Sequence, residues 1–305
     1  MTSLSVSFIN KFSGHRDGIY SLAQGGTNKI FYSTGGDGMI AQWDLNAGTD
    51  GQLICKLDSP VYSICYLKES DKLILGSSKG NLFVVDLREK KEEKNLIAHA
   101  QSVFDILHVP ARKLIITSGF DGTLIFWEST SYKIFSRLNL SGKSARCMSL
   151  HPNGKHLAVG FSDHSIRIIN LDNFQTIATL KEHTNSVFSV VYSPDGRFLL
   201  SGGRDVTLKI WDVENSYELV KTITAHLLHI NSIVYNFGGS LIATGSMDKS
   251  IKIWDALNFN LLKVIEKSKM EMHTSSVNKL LWMDDSTLIS ASDDKTLMAF
   301  KIEIK

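Results

Sequence analysis

"SGGRDVTLKIWD" occupies residues 201–212, and "TGSMDKSIKIWD" repeats its pattern at residues 244–255. In both stretches small polar residues lead to an Asp, and an alternating apolar segment then ends in Trp-Asp. A third stretch, "GSSKGNLFVVD" (76–86), fits the same alignment, but it has Lys79 in place of the Asp and Val85 in place of the Trp. One pattern that recurs at distant positions predicts a chain built from repeats, and this evidence outweighs a domain count taken from length.

A histidine precedes each well-formed copy of the pattern, and the spacing of these residues gives the repeat period. They are His15, His99, His183, His226 and His273. The first two intervals are each 84 residues, which is twice 42, and the next two are 43 and 47. Two further copies are therefore expected near residues 57 and 141, where "DSPVYSICYL" (58–67) and "GKSARCMSLHP" (142–152) fit the same frame. The sequence thus predicts seven units.

Each unit contains four short apolar segments, rich in β-branched and aromatic residues and separated by turns of Gly, Asp, Asn and Ser. These are the signals of antiparallel strands and hairpins, and no segment keeps the 3.6-residue apolar period of a helix. Seven such sheets bury both faces only when each packs between two neighbours. The predicted fold is all-β, a single seven-bladed β-propeller of four-stranded antiparallel blades over residues 1–305. The repeats are expected at approximately 13–54, 55–96, 97–138, 139–180, 181–223, 224–265 and 271–305.

The last unit ends after its third strand, in "TLMAFKIEIK" (296–305), whereas "LSVSFINKF" (4–12) precedes the first histidine. We expect residues 4–12 to form the outer strand of the last blade. A ring closed in this way has no open seam between its first and last blades.

Units that end in "FWE" (126–128) or "IWD" (210–212 and 253–255) resemble the WD-repeat (WD40) β-propeller family, and the resemblance covers essentially the whole chain. It implies that His, Ser or Thr, Asp and Trp form a structural hydrogen-bond network within a blade. The residues expected in this network are His15, Ser33, Asp37, Trp43, His99, Thr117, Asp121, Trp127, His183, Ser201, Asp205, Trp211, His226, Thr244, Asp248, Trp254, His273, Ser290 and Asp294. The same residue types also form the relay that activates a serine in hydrolases. Repetition in five units favours the structural role, because a nucleophile is needed once.

Two units lack this set. The second unit has Leu75, Lys79 and Val85 at the Ser, Asp and Trp positions, and the fourth has Val159 and Ile169 at the Ser and Trp positions. Loss of one partner leaves a buried polar group unsatisfied at a cost of about 1–3 kcal/mol, whereas replacement of the whole set by apolar groups is close to neutral. We therefore expect these two blades to be held by aliphatic packing, with Lys79 exposed to solvent.

The resemblance further implies that partners bind the narrower, top face of the propeller, at the start of each inner strand and next to the Asp of the network. The residues expected there are Tyr20, Tyr62, Phe104, Phe120, Arg146, Phe188, Arg204, His229, Asn231, Met247, Asn278 and Asp293. Aromatic residues and arginine dominate binding hot spots. An arginine ringed by aromatics is suited to pair with a carboxylate or phosphate while the rings contact an extended segment. We therefore expect a top-face site for a peptide or partner protein on units one to five.

The composition restricts the remaining possibilities. The net charge of +2, from 33 basic and 31 acidic residues, gives no electrostatic drive toward nucleic acid or anionic membranes. Neither a signal-peptide pattern nor an apolar run of about 18 residues is present, so we expect a cytoplasmic protein, or a nuclear one if the source is eukaryotic. Cys55, Cys65 and Cys147 are scattered and are expected to be buried, reduced thiols. No cofactor, metal site or homo-oligomer is expected, only a monomeric propeller within a larger complex.

The function predicted from these observations is a non-catalytic interaction scaffold, as a subunit or adaptor of a larger complex. Two alternatives stay open: a propeller hydrolase or lactonase-like enzyme with a site in the central channel, and a nucleic-acid-associated or chromatin-associated adaptor. A metal in the channel would need several carboxylates, and the aligned rim offers only Asp293. Nucleic acid would need a larger phosphate footprint than the rim arginines Arg146 and Arg204 provide.

Overall fold

The computed structural model describes residues 4–304, and strands make up almost all of its regular structure. These residues form 28 β-strands and one 3₁₀ turn at Pro110–Arg112, without an α-helix. The prediction of an all-β chain is confirmed. Within the same residues, no helical segment has the length and apolar character that a membrane span requires.

The strands form seven four-stranded sheets, called blades 1–7 in the order of their inner strands along the chain. Blade 1 contains β2 (Ile19–Gln24), β3 (Ile30–Gly35), β4 (Met39–Asp44) and β5 (Gln52–Lys56), and blade 2 contains β6 (Val61–Leu67), β7 (Lys72–Ser77), β8 (Asn81–Asp86) and β9 (Lys91–Ile97). Blade 3 contains β10 (Val103–Val109), β11 (Leu114–Gly119), β12 (Thr123–Glu128) and β13 (Ile134–Asn139), and blade 4 contains β14 (Ala145–Leu150), β15 (His156–Phe161), β16 (Ile166–Asn170) and β17 (Gln175–Leu180).

Blade 5 contains β18 (Val187–Tyr192), β19 (Phe198–Gly203), β20 (Thr207–Asp212) and β21 (Glu218–Thr224), and blade 6 contains β22 (Ile230–Tyr235), β23 (Leu241–Ser246), β24 (Ile251–Asp255) and β25 (Leu261–Ile265). Blade 7 contains β26 (Val277–Trp282), β27 (Thr287–Ser292) and β28 (Thr296–Ile304), and its fourth strand is β1 (Leu4–Ser13). The seven four-stranded antiparallel blades of the predicted propeller are therefore confirmed.

The first strand of the chain completes the last blade. Its sheet has the order β1-β28-β27-β26, and β1 runs antiparallel to β28 from Leu4 opposite Ile304 to Ser13 opposite Thr296. This confirms the role predicted for residues 4–12. The ladder joins the two ends of the described chain by main-chain hydrogen bonds, so that β28 has a neighbour on both sides.

The chain divides into two compact units. The terminal unit contains the residues up to Val61 and those from His226 onward, and the central unit contains Tyr62–Ala225. Within the central unit, β10 packs against β7 and β14, and β14 packs against β18. Within the terminal unit, β26 packs against β22 and β2. In each unit the inner strand of one blade therefore covers the inner strand of the next.

Apolar side chains between consecutive blades form the core. The second and third strands of each blade are mostly buried, whereas outer strands such as β21 alternate between exposed and half-buried residues. This contrast is expected when the inner part of a sheet is covered on both faces and its outer edge is solvated. Trp127 of blade 3 lies in a cluster with blade 2, and Trp211 of blade 5 lies in a cluster with blade 4. The Trp of a repeat therefore stabilises the contact with the preceding blade.

The cysteines differ in part from expectation. None of the three forms a disulfide, but only Cys147 is buried, whereas Cys55 and Cys65 are half-buried. The prediction of three buried residues was wrong because strand alternation alone does not determine how deep a side chain lies at the margins of a sheet. The Cys65 thiol nevertheless faces the protein interior, and burial raises its pKa to about 12.

Phe12 should carry much of the stability that β1 contributes. Its side chain is 1% exposed and lies edge-on to Phe31 and Trp43, with ring centroids 5.5 and 5.7 Å away. Phe12→Ala is expected to lower the free energy of unfolding by about 3–5 kcal/mol, because it leaves a cavity. Ile9→Ala is the matched control: Ile9 is on the same strand but 44% exposed, and its loss should cost less than about 0.5 kcal/mol. Equal losses in urea denaturation would contradict this account of β1.

Candidate functional site

Blade 5 illustrates how the repeated polar residues interact. His183 Nδ1 lies 2.8 Å from Asp205 Oδ2, and His183 Nε2 lies 2.7 Å from Ser201 Oγ. Trp211 Nε1 donates to the same Ser201 Oγ at 2.8 Å. Because the Ser201 hydroxyl accepts this bond, its own hydrogen is available for His183 Nε2, and we assign the imidazole proton to Nδ1, facing Asp205. The four side chains form a directional chain of hydrogen bonds from an indole N–H to a carboxylate.

The same chain of hydrogen bonds occurs in three other blades. The equivalent hydrogen bonds are 2.7–3.1 Å long in blade 1 (His15, Ser33, Asp37, Trp43), blade 3 (His99, Thr117, Asp121, Trp127) and blade 6 (His226, Thr244, Asp248, Trp254). In blade 7, His273 Nδ1 lies 3.0 Å from Asp294 Oδ2 and His273 Nε2 lies 2.7 Å from Ser290 Oγ, while Phe300 occupies the Trp position. The structure thus brings together all nineteen residues assigned to the network, each within its own blade.

The aspartate of each network also fastens two loops together. In blade 5, Asp205 Oδ2 accepts from the backbone N–H of Thr184 at 3.0 Å, and Asp205 Oδ1 accepts from the Thr207 hydroxyl at 2.9 Å. The loop that enters the blade is thereby joined to the turn between β19 and β20. In blade 3, glycine at position 119 is required for the same arrangement, because a Cβ there would overlap the His99 ring.

Burial and hydrogen bonding set the charge states of these groups. Burial lowers the pKa of His15, His99 and His226 because it disfavours the imidazolium, although the neighbouring carboxylates act in the opposite direction. Burial alone would raise the pKa of Asp37, but backbone N–H bonds and the His15 pair lower it below its ordinary value. In blades 1, 3 and 6 the network therefore contains neutral histidines that donate to ionised aspartates.

The hydroxyl groups of the network are not placed for catalysis. Ser33, Thr117, Ser201, Thr244 and Ser290 are each 0% exposed. In four of these residues the oxygen that would attack a substrate already accepts from a tryptophan, so a substrate has no approach to it. This geometry supports a structural role for the relay-like residues.

Blade 4 retains half of the polar network. Val159 and Ile169 are 0% exposed and fill the Ser and Trp positions with aliphatic packing, as expected. Asp163, however, still accepts from Ser141 Oγ at 2.7 Å and pairs with Arg167 Nη2 at 3.1 Å. The side chains near the entering loop thus stay polar and satisfy one another, while those inside the blade are apolar.

Blade 2 has lost the network completely. Leu75 and Val85 are 0% exposed and occupy the Ser and Trp positions. Lys79 stands at the Asp position and is exposed in the turn after β7. Its charge remains in water while the interior of the blade is aliphatic.

The residues at the start of the inner strands share a backbone feature that the sequence does not reveal. In six blades the ladder between the first and second strands shifts register after the first residue of the inner strand. The extra residues at these bulges are Tyr20, Phe104, Arg146, Phe188, Asn231 and Asn278. A bulge redirects a side chain out of the regular ladder. Each of these six predicted partner-binding residues is therefore displayed by the backbone itself.

None of the twelve predicted partner-binding residues is buried. Phe120, Arg204, Met247 and Asp293 are exposed, and Phe120 and Met247 are each 44% exposed. The remaining residues, which are half-buried, are Tyr20, Tyr62, Phe104, Arg146, Phe188, His229, Asn231 and Asn278. The twelve residues are divided between the central and terminal units.

In the central unit, five of these residues form a cluster around a guanidinium group. Tyr62 and Phe104 stack with ring centroids 6.0 Å apart, and Phe104 and Phe120 lie 6.5 Å apart. Arg146 Cζ lies 4.1 Å from the centre of the Phe104 ring and 5.8 Å from that of Phe188. We name these residues the Arg146 cluster. Its aromatic faces stabilise the cation by cation–π interaction.

Arg146 is held at one nitrogen only. Its Nε donates to Ser162 Oγ at 2.9 Å, and among residues 4–304 its two Nη groups have neither a hydrogen-bond acceptor nor a carboxylate within ion-pair distance. Burial lowers the pKa of the Arg146 guanidinium, which nevertheless stays charged at neutral pH. The cluster thus contains a partly desolvated cation whose orientation is fixed and whose terminal donors are available.

In the terminal unit, three of the six predicted residues are linked by side-chain hydrogen bonds. Asn231 Nδ2 donates to Ser276 Oγ at 3.0 Å, and Ser276 Oγ donates to Asn278 Oδ1 at 2.9 Å. Asn278 Nδ2 in turn donates to Asp293 Oδ1 at 2.6 Å. Asp293 was the single acid assigned to the rim, and it is bonded to an amide here. In the described part of the chain, no three His, Cys, Asp or Glu side chains are grouped so as to hold a metal ion.

Sequence reasoning missed three residues. Ser162, which orients Arg146, was not among the assigned site residues, since a contact from a bulged strand to a turn leaves no trace in repeat spacing. Leu227 and Leu228 are 86% and 44% exposed. The carbonyl of His229, the residue after Leu228, accepts a hydrogen bond from the backbone N–H of Met247. Two consecutive leucines after the network histidine, where other units have polar residues, were the available signal for this exposed apolar patch.

Comparison with protein families gives two matches. The family described as "WD domain, G-beta repeat" matches residues 6–44, 174–212, 217–255 and 265–301, which together make up half of the chain. The family described as "Anaphase-promoting complex subunit 4 WD40 domain" matches residues 108–190. The first match begins within β1 and includes three of the Trp-containing repeats.

Three individual proteins are similar to this chain at 23–27% sequence identity. "Echinoderm microtubule-associated protein-like elp-1" of Caenorhabditis elegans is 27% identical over 209 residues, which is 68% of this chain and 23% of that protein. "Autophagy-related protein 16" of Arabidopsis thaliana is 23% identical over 206 residues, 67% of this chain and 40% of that protein. "Meiotic recombination protein rec14" of Schizosaccharomyces pombe is 24% identical over 214 residues, 68% of this chain and 70% of that protein. The matched segment is less than half of the first two relatives.

Asp205 and Lys79, which occupy equivalent turn positions, should differ sharply in their effect on stability. Asp205→Ala removes the acceptor of His183 and of the Thr184 N–H and is expected to lower the free energy of unfolding by about 2–3 kcal/mol. Lys79→Ala removes an exposed side chain and should change it by less than about 0.5 kcal/mol. Urea denaturation of both variants checks this, and similar losses would contradict a structural role for the network.

Acid should destabilise the protein. Burial lowers the pKa of five histidines: His15, His99, His108, His156 and His226. Below the unfolded pKa of 6.5, the unfolded chain therefore binds protons that the folded chain does not bind. The free energy of unfolding should be nearly constant between about pH 7.5 and 8 and fall below pH 6.5, by up to about 1.4 kcal/mol per pH unit for each histidine. Urea denaturation between pH 5 and 8 measures the slope. His226→Gln should make it shallower, and stability that rises on acidification would contradict the assignment of neutral histidines.

Proposed function

The chain belongs to the WD-repeat (WD40) β-propeller family, and from this premise we propose that it is a non-catalytic scaffold for protein–protein interaction. The seven repeats over residues 1–305 form one domain in this proposal. It acts as a subunit or adaptor of a larger complex and needs no cofactor. A peptide or a segment of a partner protein binds the top face of the central unit, which is the end of the blades where the inner strands begin.

The observation that supports this proposal best is the Arg146 cluster. Its side chains come from four consecutive inner strands and from the turn that holds Phe120. The backbone bulges at Phe104, Arg146 and Phe188 turn these three side chains out of the ladder. Stacked rings with an arginine lose little side-chain entropy on binding and offer apolar area together with directional donors. The cluster has the composition of a binding hot spot and is partly open to solvent.

The polar residues of the terminal unit support the same placement by contrast. Asn231, Ser276, Asn278 and Asp293 already satisfy one another, so a ligand that bonded them would first have to break those hydrogen bonds. The Nη groups of Arg146 carry no such cost, because no described residue accepts from them. Binding energy is therefore more readily gained in the central unit.

The relatives are in agreement with a scaffold. Their names refer to different contexts, namely microtubule association, autophagy and meiotic recombination. What the matched segments have in common with this chain is the repeat, and the repeat networks described above are buried. A shared framework with a variable exposed face is expected of proteins that recognise different partners.

Arg146→Glu combined with Phe104→Ala should abolish capture of the main partners by the purified protein from a lysate of its source, as measured by affinity capture and mass spectrometry. The double variant reverses the charge and removes the ring on which the guanidinium lies. The matched control is Arg197→Glu with Phe237→Ala, which makes the same changes at exposed residues outside the cluster. If the double variant keeps every partner that the wild type captures, the site lies elsewhere.

Two further measurements address the alternative functions. A hydrolase screen with metal analysis of the purified protein tests for an enzyme of the channel type, and salt-dependent DNA binding tests for a nucleic-acid adaptor. Turnover that survives loss of the Arg146 cluster, or binding to DNA with a steep salt dependence, would replace the scaffold proposal.

A further inference from the structure

Arg146 differs from the other half-buried arginines of the chain. Arg112 pairs with Asp172 at 2.6 Å, and Arg167 pairs with Asp163 at 3.1 Å. Arg167 is an internal comparison, because its guanidinium also lies over an aromatic ring, that of Phe161, at 4.9 Å. Arg146 has the same kind of aromatic support but, among the described residues, no acidic partner.

Two acids adjoin the cluster in sequence, and both have other partners. Asp121, which follows Phe120, pairs with His99 at 3.0 Å, and Asp105 accepts from backbone N–H groups. Asp105 follows Phe104, and its Oδ2 accepts from the N–H of Met148 at 2.7 Å while its Oδ1 accepts from the N–H of Ile106 at 3.0 Å. It therefore fastens β10 to β14 and does not neutralise Arg146. A charge that is removed from water is costly unless it is paired.

We propose that Arg146 is the recognition point for an oxyanion, carried by a side chain of an extended segment that lies along the Arg146 cluster. This inference rests on the proposed function and specifies the chemistry of the partner. The guanidinium is planar and its Nε is fixed by Ser162, so the Nη groups can bind a carboxylate or phosphoryl group through two parallel hydrogen bonds. The ligand supplies the charge that Arg112 and Arg167 receive from aspartates of their own chain.

The spacing of the cluster defines the residues that flank the oxyanion. Tyr62 and Phe104 are 6.0 Å apart, and Phe188 lies 5.8 Å from Arg146 Cζ. In an extended chain, side chains two residues apart point to the same face and are separated by about 6.6 Å. The Phe104 and Phe188 rings lie 4.1 and 5.8 Å from Arg146 Cζ. We therefore expect apolar side chains two positions before and after the anionic residue to reach rings of the cluster.

Binding to synthetic peptides tests this chemistry. An array of immobilised nonapeptides carries Leu two positions before and after the centre, mixed Gly, Ser and Ala at the other positions, and Glu, phosphoserine, Gln or Ser at the centre. Wild-type protein should bind the Glu or phosphoserine peptides about tenfold more than the Gln and Ser peptides, which corresponds to one charge-assisted contact. A preference for phosphoserine over Glu identifies a phosphorylated partner, and the reverse identifies an acidic one.

Four variants connect the preference to Arg146. Arg146→Gln should remove the preference for Glu or phosphoserine peptides. Arg146→Lys should reduce this preference because the bidentate fork is lost, and Ser162→Ala should reduce it without a change of charge. Arg197→Glu is the control for net charge and should leave it unchanged. Arg146 has no acidic partner among residues 4–304, so Arg146→Gln is expected to keep the thermal midpoint of the wild type. Ser162→Ala serves as the test variant if it does not.

The outcomes separate this inference from the proposed function. If the wild type binds acidic and neutral peptides alike, whether well or poorly, or if Arg146→Gln keeps the preference, oxyanion recognition is overturned. If binding of all peptides is equal but is lost in Phe104→Ala, the face still binds peptides and only the charge specificity is wrong. If partner capture is unaffected by the double variant described above, the proposed function itself fails.

Discussion

A buried hydroxyl that accepts from an indole and donates to an imidazole is the contact on which four of the seven repeats depend. In blade 5, Ser201 joins Trp211 to His183, and through it to Asp205, so that one oxygen connects the third strand to the entering loop. The loop position in turn fixes where the inner strand begins. Because a buried polar group must be satisfied, the four residues act as a unit that a single substitution disrupts.

This interdependence explains how the network is lost in the two blades without it. In blade 2 the Ser, Asp and Trp positions are Leu75, Lys79 and Val85, and in blade 4 Val159 and Ile169 fill the interior positions. Loss of the histidine or of the hydroxyl alone would leave an unsatisfied donor or acceptor inside the blade, whereas complete replacement leaves only apolar contacts. Blade 7 shows that the Trp can be replaced by Phe300 while His273 still bonds Ser290 and Asp294. The polar pair that survives near the loop of blade 4 is tolerated because Arg167 and a serine satisfy Asp163.

Repeat spacing made the seven units and their strands predictable, because a motif that recurs at a period near 42 residues carries its own alignment. The hydrogen-bond partners were implied by the resemblance to WD-repeat propellers. The role of β1 followed from the three-strand last unit. The bulges at Phe104 and Arg146, by contrast, depend on the register between neighbouring strands, which the pattern of apolar residues does not specify. Ser162 orients Arg146, and no acid among residues 4–304 pairs with Arg146. Both facts depend on contacts between turns and strands, which a single sequence does not reveal. The pattern of apolar residues also did not predict how deeply each side chain is buried, as the half-buried Cys55 and Cys65 show.

The two units differ in how their exposed polar groups are satisfied, and this difference determines where recognition energy is available. In the terminal unit, Asn278 bonds Asp293 and the carbonyl of Ile19, so its amide is already in use. In the central unit, the aromatic faces of Phe104 and Phe188 stabilise the Arg146 cation without occupying its Nη donors. Aromatic support retains the charge at a partly buried position, whereas an aspartate there would have neutralised it. The hydrogen bonds of the repeat networks are internal to each blade, whereas the Nη groups of Arg146 have no acceptor among the described residues.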